Sequence, residues 1–188
     1  TLIAADTDLR TDLGRYEVHR HGHPTETRTD ILDLATDDLV SFALGCSYTF
    51  EHLLAAANIP IRHHQQGVAG APMYITNRPC TPAGRFHGHL VVTMRPIPAD
   101  RVADAVTITA AHPEAHGAPL SIGAPEQLGI TNLNHPDWGQ PVTLEPGDIP
   151  VFWACGVTAT HIIRTAGLDF AITHASGYML ITDLPIPR

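Results

Sequence analysis

The stretch "IPVFWACGVT", residues 149–158, runs through apolar residues into Cys155 and Gly156 and then into residues that can start a helix. A short apolar run reads as a buried strand, and a glycine at its end marks a turn. Fifteen residues past Cys155, "FAITHASG" (170–177) repeats the pattern, with a strand over 170–173 followed by His174, nineteen residues past the cysteine. Strand, helix and strand in succession indicate an α/β arrangement. Its turn after the first strand would present backbone N–H groups and the positive end of a helix dipole. Both lower a thiol's pKa and can hold an oxyanion. In a parallel or mixed sheet, Cys155 and His174 would share the edge where such folds place ligands. On spacing alone, an inert core thiol is the commoner outcome, because cysteine is among the most buried residue types.

Working outward, "TDDLVSFALGCSYTFEHLLAAANIP" (36–60) reads as two helices. Thr36 is a suitable N-cap, Asp37 and Asp38 favour the positive dipole end, and Leu39, Phe42 and Ala43 recur at helical spacing before Gly45 interrupts. A second helix is predicted over 47–57, burying Phe50, Leu53 and Leu54, with Pro60 closing it. "HLVVTMRP" (89–96) reads as a buried strand. Pro98 then suits the first turn of a helix with Val102, Ala105, Val106 and Thr109 on one face. Short strands are expected near Val142 and Val151, a helix after Gly156, and a last strand over 178–182. Residues 1–35 are acidic, with little apolar periodicity, and read as an extended arm with one short strand in "GRYEVHRHG" (14–22). The predicted fold is thus α/β of the mixed α+β kind, a layered sandwich around a mixed sheet. Its parts are the N-terminal arm 1–35 and one catalytic-type domain over 36–188, with 60–125 as a smaller α+β subdomain.

Composition narrows the function classes. Hydrophobic residues make up 44% of the 188 and charged residues only 16%, so the chain can bury a sizeable core. No apolar run reaches the roughly 18 residues that span a bilayer, which points to a soluble, cytoplasmic protein. Net charge is −8, and all eleven cationic residues are arginine. Absence of lysine excludes Schiff-base catalysis and a P-loop lysine, and an acidic chain with scattered arginines argues against nucleic acid. Three cysteines, Cys46, Cys80 and Cys155, form no CxxC pair and no disulfide framework, as in a reducing compartment.

Several residues stand out as site candidates. Arg62 and His63 in "IPIRHH" (59–64) could form an anion clamp beside a proton acceptor, since a guanidinium fork matches a carboxylate. Arg95, at the end of a buried strand, must find a partner or an anion. Thr76 and Asn77, in a loop stiffened by Pro72 and Pro79, suit a small polar ligand, and His116 sits in a turn before Gly117. Thirteen histidines make metal binding worth testing. The pairs His21/His23 and His87/His89 put two rings on one strand face, but a structural zinc needs four ligands and no second pair stands at finger-like spacing. No metal site is assigned on this reading, no cofactor is predicted, and a divalent metal is left open.

Together "FALGCSYTFE" (42–51), "IPIRH" (59–63), "APMYITNRPCTPAGRFHGHLVVTMRP" (71–96), "HGAPLSIGAPEQLGI" (116–130), "IPVFWACGVT" and "FAITHASGYMLITD" (170–183) resemble the D-glutamate cyclase family, whose bacterial members are often labelled hydro-lyases. The likeness is collinear from about Asp8 to Leu184. It departs at "HASGY", where the family commonly has His-Ala-Pro-Gly-His and this chain has Ser176 and Tyr178. "GVTAT" likewise replaces a family Gly-Val-Thr-Pro-Gln. Family members usually carry a longer N-terminal region, so the first part of the family fold is expected to be absent here. The resemblance implies conversion of D-glutamate to 5-oxo-D-proline with loss of water. On it, Arg62 or Arg95 would bind the substrate carboxylate, with His63 and His116 beside it. His174 would carry the proton, and donors around Cys155 and Gly156 would hold the oxyanion. Thr76 and Asn77 would orient the substrate, while Glu51 and Asp183 orient a histidine or bind the ammonium. A nucleophilic Cys155 is the covalent variant. Alternatives are a hydro-lyase for another small carboxylic acid and a non-catalytic carboxylate-binding protein. The expected partner is a small carboxylate, with no nucleic acid or membrane and homo-oligomerisation left open.

Overall fold

The run at 89–96 becomes β4 (His89–Pro98), the longest strand of the computed structural model, which describes residues 4–184. Its residues 91–97 are all buried because both faces of its sheet are covered. A strand's side chains alternate between faces. On one face Ile97 joins Val151 and Trp153 of β6 (Asp148–Ala154), packed on Phe50 and Leu54 and on Ala105 of α3 (Val102–Ala110). Phe50 ends a 3₁₀ turn (Ser47–Phe50) that runs into α1 (Glu51–Ala56). On the other face Val92 and Met94 pack with Phe152, Tyr74 of β3 (Met73–Pro79), Leu128 and Ile130. The strand order is β3-β4-β6-β5, with β5 (Ser121–Ile122) at the edge.

A second sheet, β2-β1-β7, is built from β1 (Tyr16–Arg20), β2 (His23–Arg28) and β7 (Phe170–His174). Helix α4 (Val157–Ala166) leads from β6 to β7, and its Arg164 pairs with Glu17 of β1 at 2.7 Å. The one-turn helix α2 (Arg62–Gln65) completes the set. The chain is α+β, as its sequence predicts. Among the described residues no helix is long and apolar enough to cross a membrane.

Five local expectations are corrected. Among the described residues every ladder is antiparallel and no mixed sheet forms, and β6 and β7 lie in different sheets and share no edge. The segment 39–46 has no regular secondary structure in place of the expected helix, leaving Val40 and Phe42 exposed. Its apolar pattern is shorter than an isolated helix needs, and Gly45 passes so close to the Glu114 carbonyl that a Cβ would sit 1.7 Å from the oxygen. Val142 is buried but not in a strand, because the Gln66 side chain pairs with both backbone groups of Thr143. Residues 178–182 leave the sheet where Gly177 turns the chain at φ 86° and Tyr178 N–H closes onto the Ala175 carbonyl. The stretch 14–22 holds β1 and opens into a hairpin rather than a lone strand, with Tyr16, Val18 and His19 fully buried.

Trp153 is the largest fully buried side chain, and its indole N–H donates to Thr109 Oγ1 at 3.1 Å. Trp153→Ala is expected to cost about 3–5 kcal/mol, read as a lower urea midpoint at unchanged slope.

Candidate active site

Where β6 hands over to α4, the turn at Cys155 and Gly156 meets two segments from elsewhere in the chain. One is the piece at Leu44 and Gly45, and the other is the turn at 113–116. Together they line a cleft of about 490 Å³ with His116, Cys155, Gly156 and Thr158 on its walls. Thr158 Oγ1 fastens the start of α4, donating to the carbonyl of Cys155 at 2.7 Å and accepting from Val91 N–H of β4 at 3.0 Å.

His116 has a left-handed backbone (φ 78°), a conformation uncommon outside glycine that commits the turn to presenting this ring. Its Nε2 is buried with no hydrogen-bond partner among the described residues. Burial pushes the imidazole pKa below 6.5, contact with the Gly45 backbone opposes this, and the charge of Arg95 adds to the lowering. The ring is therefore neutral at pH 7. Cys155 behaves differently from the helix-activated thiol its position suggested. Burial raises its pKa above 9.0, and neither the N–H of Val157 nor the distant Arg95 charge reverses that. At neutral pH it is a thiol, a poor nucleophile.

Beneath the sheet's helical face lies a buried ionic cluster. Arg95 projects from β4, its Nε donating to Glu51 Oε1 at 2.7 Å and its Nη2 to Ser47 Oγ at 3.1 Å. Rings of Tyr48, Phe50 and Trp153 stand 5.1–5.7 Å from its guanidinium carbon. The remaining Nη1 is buried and has no hydrogen-bond partner among the described residues. Glu51 Oε2 faces His63 Nε2 at 3.4 Å and His64 Nε2 at 3.7 Å. Burial resists ionisation of Glu51, but the His63 imidazole and the Arg95 charge outweigh it and hold the carboxyl below its ordinary range.

The structure brings six of the sequence candidates into this region. His116, Cys155 and Gly156 line the cleft, and Arg95, Glu51 and His63 form the cluster, whose Arg95 charge reaches Cys155 and His116. Five others lie elsewhere. Arg62 is held by Asp148 through two 2.8 Å bonds and by Gln65 at 3.0 Å, so its fork is occupied. Thr76 Oγ1 donates to the Leu90 carbonyl at 2.7 Å and ties β3 to β4, while Asn77 is exposed beside Gly129. His174 is exposed at the end of β7, its Nδ1 2.8 Å from the Ala175 carbonyl. Asp183 accepts the backbone N–H of Ala5. Tyr178, the departure in "HASGY", stacks on Arg15 at 4.7 Å. Gly45, Thr158, Ser47 and Tyr48 were missed by sequence reading. For Gly45, Ser47 and Tyr48 the signal was the Gly-Cys-Ser break in "FALGCSYTFE", which resembled a simple helix interruption.

The cleft combines a neutral histidine, a helix start and nearby buried charge on an α+β scaffold, the features from which small-molecule sites are built. The sequence pattern of the D-glutamate cyclase family matches residues 40–183, a span containing the whole cleft lining and the ionic cluster. The chain belongs to that family. It is 54% identical over 187 residues to a "Putative hydro-lyase" of Agrobacterium fabrum, an alignment covering 98% of this chain and 69% of that protein. A "Putative hydro-lyase" of Rhodococcus opacus is 52% identical over 185 residues (98% and 70%). Another from Jannaschia sp. is 54% identical over 182 residues (97% and 68%).

Removing one partner of the buried pair leaves an uncompensated charge. Arg95→Met alone is expected to cost about 3–5 kcal/mol, and the double variant Arg95→Met/Glu51→Leu to regain most of it, measured by urea denaturation as a double-mutant cycle. Because the folded Glu51 pKa is lowered, its contribution is complete above the ordinary value of 4.5 and falls away as pH drops below that value. Acid titration of stability should lose that limb in the double variant.

Proposed function

We propose that this enzyme, a lyase of the hydro-lyase type, converts D-glutamate to 5-oxo-D-proline in the cleft between His116 and the Cys155–Gly156 turn. The observation that carries the reading is the family match over residues 40–183, which encloses every residue lining the cleft. The reaction forms one N–C bond between the α-nitrogen and the γ-carboxyl carbon and breaks one C–O bond. Two protons leave the ammonium, and both end on the departing carboxylate oxygen, which leaves as water.

His116 suits the proton traffic. A neutral imidazole accepts the first proton from the ammonium, freeing the lone pair for attack, and returns it to the departing oxygen. The tetrahedral oxyanion faces the Gly156 N–H and the positive end of α4. The Arg95 charge, felt at both His116 and Cys155, makes the inner end of the cleft favourable for a dicarboxylate. In this scheme His116 takes the proton-carrying role that sequence reading gave to His174, and Cys155 contributes its turn rather than its sulfur. A second reading, dehydration of another small carboxylic acid in the same cleft, is favoured by the relatives' names, which say hydro-lyase and no substrate.

Incubation with D-glutamate, L-glutamate and a panel of hydroxy acids, followed by chiral chromatography, tests both readings. The expected product is 5-oxo-D-proline from D-glutamate. Product from a hydroxy acid alone selects the second reading, and no turnover of any acid overturns both. His116→Ala is expected to lower kcat by about 10²–10⁴-fold, whereas His174→Ala leaves it within a few-fold. Since His116 must be neutral to accept a proton, kcat/KM should hold above 6.5 and fall as pH drops through the lowered value.

A further inference from the structure

The geometry points to a divalent-cation site of the zinc class, held by Glu51 Oε2, His63 Nε2 and His64 Nε2 and set apart from the residues that line the cleft. The three ligand atoms lie within 4.8 Å of one another. A tetrahedral site with bonds of about 2.0–2.1 Å has ligand–ligand edges of about 3.4 Å. The Glu51–His63 separation is already 3.4 Å and the Glu51–His64 separation 3.7 Å. The edge between the two imidazoles is no longer than 4.8 Å, and the His64 side chain, 64% exposed, is free to swing inward and close both of its edges.

His63 supplies the independent sign of a ligand. Its side chain is 2% exposed, its Nε2 is sealed from water, and that atom makes no hydrogen bond among the described residues although it points at a carboxylate. Native proteins seldom leave a buried nitrogen unsatisfied, and a bound cation would satisfy this one. The rings of His63 and His64 sit edge to face, 4.4 Å between centroids, so both present Nε2 to the same oxygen. Glu51 is oriented from behind, since its other oxygen takes the Arg95 Nε–H at 2.7 Å. Such an outer hydrogen bond is usual for a ligating carboxylate. Two imidazoles and one carboxylate form the donor set that suits zinc or cobalt, with the fourth position open on the His64 side. The nearby guanidinium charge sets an upper limit on affinity, so binding is expected in the micromolar range rather than tighter. The inference stands apart from the substrate reading, since no step proposed for the cleft uses these three atoms.

Chelator-treated full chain titrated with Zn²⁺ by calorimetry, and with Co²⁺ by visible absorption, tests the site. One equivalent per chain, a cobalt spectrum of low coordination number and a melting temperature that climbs with zinc concentration are the expected results. His64→Ala, a change at an exposed side chain, should weaken binding at least about tenfold. His23→Ala on β2 should leave it unchanged. No stoichiometric binding at sub-millimolar zinc overturns the proposal. So does an affinity that survives His64→Ala, which would place the metal on other histidines. If His63→Gln does not fold, the His64→Ala comparison still decides.

Discussion

The pairing of Arg95 with Glu51 is the constraint around which the rest of this chain is arranged. A guanidinium in the fully buried stretch of a central strand has no access to water, and its charge must be answered from inside the protein. The answer comes from the first residue of α1, which fixes that helix over the sheet, and from Ser47 in the 3₁₀ turn before it. Three aromatic rings close around the cation, and two of them, Phe50 and Trp153, belong to the larger hydrophobic core. Ionic cluster and core are thus one structural unit. That is why Glu51 has a free oxygen to show to His63 and His64, and why Arg95 reaches the cleft by its field rather than by contact.

The cleft follows from topology. β6 ends and α4 begins beside the start of β4, and Thr158 ties the two with one hydroxyl. Opposite, Leu44 and Gly45 pass the turn at 113–116, where only a glycine can clear the Glu114 carbonyl. His116 and Cys155 both line this opening, and burial keeps both uncharged, the imidazole neutral and the thiol protonated.

Much of the fold was legible because it depends on short-range rules. The run 89–96 announced a strand buried on both faces, the glycine after Cys155 announced the start of α4, and Phe50 and Leu54 announced the inner face of α1. Failures have a common cause. The apolar pattern at 39–44, the run near Val142 and the stretch 178–182 were each locally plausible, and each lost to a contact made far along the chain. Those contacts were the Glu114 carbonyl, the Gln66 side chain and a turn that sends Tyr178 to Arg15.

The sequence by itself determined the family, the α+β class, the absence of lysine chemistry and the need for Arg95 to find a partner. All of these reside in composition, periodicity and motif. Only the tertiary structure decided which candidates meet. Cys155 follows β6 and His174 ends β7, so alike in their settings, and the two strands belong to different sheets because α4 carries the chain from one sheet to the other. His116, an ordinary turn histidine on paper, lines the cleft because its left-handed backbone and the passing Gly45 bring it there. Spacing along a chain encodes which face a side chain takes, whereas the meeting of two such faces depends on long-range packing that no local pattern records.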